Sequence, residues 1–119
     1  MLRNFMILLT VLTTGLFANS LSLEDNGDGT WNVNYSSDTA IGGFQFNVDG
    51  ATVNNASGGD AAANGFVVSV GGSTVLGFSF TGAVVPAGCG TLTNLSLNGN
   101  GTGLSGIVVS DASGNGIDF

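Results

Sequence analysis

Histidine is missing from this sequence, and Arg3 is its only basic residue. Without histidine, neither a Ser-His-Asp triad nor a histidine zinc site can be assembled. Without further positive charge, the chain cannot displace counterions from a phosphate backbone, which excludes nucleic acid as a partner. Attraction to anionic lipid fails on the same ground. Cys89 is the only cysteine, so no internal disulfide can form, and a thiol nucleophile would lack its base. Pro86 is the only proline, and after the first twenty residues no apolar segment keeps a 3.6-residue period. A helical bundle is therefore excluded.

The eight acids are Glu24, Asp25, Asp28, Asp38, Asp49, Asp60, Asp111 and Asp118, and they set the net charge at −7. All read as turn residues or outward strand positions. None sits in an apolar run where burial would raise its pKa, and paired-carboxylate hydrolysis needs two acids facing a cleft. The sequence predicts no enzyme.

The amino-terminal stretch has a different character. Met1-Leu2-Arg3-Asn4 carries the positive charge, Phe5 to Phe17 is apolar except for threonines and Gly15, and Ala18-Asn19-Ser20 supplies small residues for a peptidase. This is the layout of a secretory signal peptide, and the apolar run is shorter than the roughly 20 residues that span a bilayer. The expectation is a leader over 1–20 and a folded domain over 21–119. The protein would be secreted or held at the cell surface, with no membrane contact after cleavage.

The rest alternates. Leu21 and Leu23 open a strand, Asn26-Gly27-Asp28-Gly29 reads as a hairpin tip, and Trp31, Val33 and Tyr35 form one face of the returning strand. Phe44, Phe46 and Val48 alternate with Gln45, Asn47 and Asp49 in a half-buried strand, which Asp49-Gly50 is expected to close before a short strand at Ala51 and Val53. Asp60 to Gly65 predicts a helical turn capped by Asp60 and ended by Gly65. Phe66, Val68 and Val70, then Gly71-Gly72, then Leu76, Phe78 and Phe80 predict a second hairpin. Leu92, Leu95 and Leu97 predict a strand, Asn98 to Gly103 a glycine-rich loop, and Ile107 and Val109 another strand. Asp111 to Gly116 is a polar turn, and Ile117-Asp118-Phe119 begins a last strand. The alternation runs to Phe119 with no polar tail, as in a chain whose carboxy-terminus is truncated. About nine short strands between glycine and asparagine turns predict an all-β, antiparallel, jelly-roll-type β-sandwich.

The order of these segments resembles the cohesin domain, a jelly-roll sandwich of secreted proteins related to carbohydrate-binding modules. Three places carry the likeness: Ala40-Ile41-Gly42-Gly43-Phe44-Gln45-Phe46-Asn47-Val48-Asp49, Cys89-Gly90-Thr91-Leu92-Thr93-Asn94-Leu95-Ser96-Leu97, and Val108-Val109-Ser110-Asp111-Ala112-Ser113-Gly114-Asn115-Gly116-Ile117. Val48 stands where the family has tyrosine, and the Leu21–Tyr35 hairpin replaces or shortens the first family strand. The resemblance implies a non-catalytic module that attaches to an extracellular protein, dockerin-like, or to a polysaccharide. The alternative is a structural or adhesive repeat unit of a larger exported, surface or virion-like protein.

Two groups of residues are candidates for a site. Asn32, Asn34, Gln45, Asn47 and Asp49 would form one amide-rich face suited to sugar hydroxyls if their strands lie together, the plainer reading being a solvated sheet face. Glu24, Asn26 and Asp28 fall at positions 1, 3 and 5 of a calcium-type loop, but Tyr35 occupies the place of the closing carboxylate. A hairpin turn is the preferred reading there, and calcium is the one metal the pattern admits. No cofactor is expected. Triplets of the form N-x-S/T at Asn34, Asn55, Asn94 and Asn100 are what chance supplies in so Asn-, Ser- and Thr-rich a chain.

Overall fold

A computed structural model describes residues 19–119. The expected leader lies outside the described residues up to position 18. Asn19 and Ser20 join the folded part: Ser20 opens the first strand, and the Asn19 side chain accepts a bond from the Asp38 N–H (2.8 Å) and donates to the Asp118 carbonyl (3.1 Å).

The strands are β1 (Ser20–Asp25), β2 (Thr30–Ser37), β3 (Gly43–Ser57), β4 (Val67–Gly71), β5 (Thr74–Phe78), β6 (Gly88–Ser110) and β7 (Gly116–Ile117), with one helical turn, α1 (Gly59–Ala63), after β3. Every pairing is antiparallel. The hydrogen-bonded order is β1-β2-β6-β3-β5-β4, with β7 alongside β6.

One sheet becomes two layers because β3 and β6 bend together. Their register slips between Asp49 and Ala51, where Gly50 takes a φ of +86°. A Cβ at Gly50 would lie 2.8 Å from the Asn100 carbonyl oxygen, so the corner needs glycine for its backbone and for its closeness. The slip also exchanges the inward phase: Phe44, Phe46 and Val48 are buried before it, and Val53 after it. The first layer holds β1, β2, the start of β6 and the end of β3. The second holds β7, the end of β6, the start of β3, β5 and β4. A Cβ at Gly101 would lie 2.6 Å from Leu23 Cδ2 of β1 and 3.6 Å from Val48 Cγ1 of β3, so the layers meet across the core there. With each half of β3 and β6 taken separately, the strands are the nine short segments of the expected antiparallel sandwich.

Three local expectations are corrected. Asp49-Gly50 does not close a strand, and Asn98 to Gly103 is not a loop; both are corners inside continuous strands. Asp60 does not cap α1: Gly58 holds the N-cap position without a side-chain bond, and the Asp60 carboxylate turns to Tyr35 instead. At the other end Gly65 does take the left-handed conformation that stops the turn.

The facing of β5 bears on function. Leu76, Phe78 and Phe80 share a phase that faces outward, and Val75 and Gly77 face the core. Phe44 pairs with Gly77, and its ring lies over that glycine so closely that a Cβ would sit 2.2 Å from Cζ. Phe44 also stacks at 6.1 Å on both Phe46 and Phe66. The volume that β5 lacks at Gly77 is filled from β3.

Candidate docking face

Asn32 and Asn34 lie on the outer side of the first layer, inside a polar ladder across β1, β2 and β6. The Glu24 Oε1 accepts from the Asn32 and Asn34 amides at 3.1 and 3.0 Å. The Asn32 Oδ1 accepts from Asn94 at 2.6 Å and from Asn26 at 3.0 Å, and the Asn34 Oδ1 accepts from Thr91 at 3.1 Å. The pairing Glu24–Asn32–Asn94 explains the ladder, since direct cross-strand partners share a face. Gln45, Asn47 and Asp49 lie on the first half of β3, on the outer side of the second layer. Asn47 accepts from Thr74 and Asp49 from Ser105. The five residues therefore form two groups on opposed faces, divided by the fold of the sheet.

Glu24, Asn26 and Asp28 are linked through shared hydrogen-bond partners, Asn32 and Thr30. Glu24 serves the ladder, Asn26 donates to Thr30 and Asn32, and the Asp28 Oδ1 accepts from the hydroxyl and the N–H of Thr30. Among the described residues no group of three or more His, Cys, Asp or Glu side chains is placed to hold a metal. The Asn34 and Asn32 amides hold the Glu24 carboxyl below its ordinary value, and the Thr30 hydroxyl, then its N–H, does the same for Asp28.

The residues that sequence reasoning missed are apolar. On the outer side of the second layer, Gln45 is flanked by Leu76 on β5 and Val108 on β6, its cross-strand partners. Leu76 is 40% exposed and Val108 61%. Phe78 and Val67 pair in the adjacent row, and Phe78 meets Phe80 edge-on at 5.0 Å. Phe80 is 81% exposed, at a turn where the Ser79 hydroxyl accepts from the N–H groups of Thr81 and Ala83. A depression of about 300 Å³ opens beside Gly43 and Gln45 between Leu76, Phe78 and Val108. From Ala61 to Ser110 no side chain carries a charge, so β4, β5 and β6 add none to this face. The signal was present in Thr74–Phe78, whose two phases are both apolar. Such a strand leaves large side chains outside whichever phase turns in.

The sequence matches no protein-family model and no curated protein. Two solved structures are similar in fold. One is a non-cellulosomal cohesin from the hyperthermophilic archaeon Archaeoglobus fulgidus, 20% identical with a TM-score of 0.54, over 75% of this chain and 71% of that one. The other is a chain of the CaDoc0917–CaCohA2 complex, 20% identical with a TM-score of 0.55, over 85% of this chain and 92% of that one. The described part of the chain therefore has a β-sandwich fold similar to that of these cohesin structures.

Proposed function

We propose that this domain is a non-catalytic docking module that binds a dockerin-like protein outside the cell through the outer face of β4, β5, β3 and the end of β6. The observation that carries this reading is the row of outward apolar side chains ending at Phe80. A large aromatic held 81% exposed by a hydrogen-bonded turn costs solubility unless a partner covers it. The fold neighbours support the theme, one of them being solved as a complex. A glycan partner is less well supported. The amide ladder at Asn32 and Asn34 is already hydrogen-bonded within itself, and the nearby aromatics Trp31 and Tyr35 point into the core. The signal-peptide layout read at the amino terminus supports an extracellular setting.

The test is calorimetric titration of the folded domain with a panel of purified dockerin modules. Phe80→Ala and Val108→Asp should each weaken binding by about tenfold or more, while Trp31 fluorescence and thermal melting stay as in the parent. Unchanged binding in both variants, or loss of binding on Asn34→Ala instead, would overturn the assignment of the face. Binding to a glycan array with no binding to any dockerin would overturn the partner class.

A further inference from the structure

The two ends of the hydrogen-bonded order are treated differently. β1, at one end, carries Glu24 and Asp25 and runs into Asp28. β4, at the other, reads Val67-Val68-Ser69-Val70-Gly71, with no charge and no proline. Proteins guard sheet edges with charge, proline or cover, because a bare edge templates another strand. Among the described residues, only one of these two edges is guarded.

The register states what the bare edge offers. Gly71 faces Thr74 across the two-residue turn Gly72-Ser73, and the pairs Ser69–Leu76 and Val67–Phe78 follow at intervals of two. Antiparallel ladders alternate, so these residues bond to β5 and the N–H and C=O groups of Val68 and Val70 point away from it. Val67 and Val70 are 41% and 37% exposed.

We infer that a second copy of this chain pairs there, β4 against β4 in antiparallel fashion about a two-fold axis at Ser69. Val68 of each copy then exchanges both backbone bonds with Val70 of the other, and the two Ser69 side chains face each other as a non-hydrogen-bonded pair. Charge selects this occupant. Every charged residue among those described is acidic, so two copies repel wherever their acids approach and can meet at the uncharged β4–β5 end. A basic peptide would instead be drawn to the acidic β1 end. Pairing at β4 also continues the second layer across the two-fold, setting the two apolar outer faces side by side.

Sedimentation of the intact folded domain over a wide concentration range tests this. The parent should show a monomer–dimer equilibrium. Ser69→Asp places two like charges directly opposite each other, and Val70→Pro removes an N–H that β5 does not use. Each should weaken the dimer about tenfold or more, with the circular dichroism of the sheet retained for Ser69→Asp. A parent that stays monomeric up to its solubility limit overturns the inference. So does a dimer that survives Ser69→Asp, or one that Phe80→Ala dissolves, since the latter joins through the docking face. Failure of dockerin binding leaves the sedimentation result unaffected, so the two proposals fail separately.

Discussion

The hydroxyl of Tyr35 donates a 2.6 Å hydrogen bond to Oδ2 of Asp60, tying β2 to α1 at one end of the sandwich. Gly90 makes room for the pair: a Cβ there would lie 2.9 Å from that same oxygen. Burial, then the hydrogen bond to Asp60 and its charge, push the Tyr35 hydroxyl well above its ordinary value of 10. A raised folded-state pKa means the stabilisation is complete below pH 10 and is lost as pH climbs toward the folded value.

Tyr35 is the only tyrosine, so tyrosinate absorbance reports on it alone. The native protein should resist ionisation until well above pH 10, and the urea-unfolded chain should titrate near 10. Asp60→Asn should bring the native titration down toward that value and cost about 1–2 kcal/mol in urea melts. A native titration at the unfolded value would contradict the bond.

On the acid side the sign reverses. Glu24 and Asp28 have depressed folded-state values, so their contribution is present above the unfolded values of 4.5 and 3.8 and is lost as pH falls below them. Thermal melts should show stability declining in that range. Glu24→Gln should flatten part of the decline, and a parent whose melting point is level across it would speak against the ladder.

Gly77→Ala should be among the most damaging small substitutions in the domain. Its Cβ would displace the Phe44 ring, which packs on Phe46 and Phe66. A loss of about 2–4 kcal/mol is expected, as for overpacking that also disturbs neighbouring core side chains. Gly103→Ala, with nothing within 4 Å of its Cβ, is the control and should cost far less. Equal melting points for the two variants would exclude the packing role.

Partner binding through the outer face of β5 and β6 should depend little on ionic strength. No side chain from Ala61 to Ser110 is charged and β3 adds the single carboxylate of Asp49, so screening has little to weaken there. Titrations at low and high salt should give similar affinities. A steep fall with salt would move the interface to the acidic β1–β2 end.

Much of the fold could be read in advance because alternation and turn chemistry are local. Trp31, Val33 and Tyr35 face inward, and Asn26 to Gly29 turns the chain, for reasons contained within a few neighbouring residues. The three segments that resemble cohesin lie on the bent β3–β6 pair and its flanks, the first starting just before β3 and the third running through the turn into β7. The candidate site was harder to read. Asn32 and Gln45 look alike in sequence, but the corner at Gly50 sends their strands into opposed layers.

Sequence alone therefore determined the class, the number of segments, the acidic surface and the lack of basic side chains beyond Arg3. Only the tertiary structure decided which phase of β5 turns outward. Val75, Leu76 and Phe78 make both phases apolar, so periodicity cannot choose between them. The choice depends on volume brought from another strand. The Phe44 ring fills the space above Gly77, Val75 turns in beside it, and Leu76, Phe78 and then Phe80 are left outside.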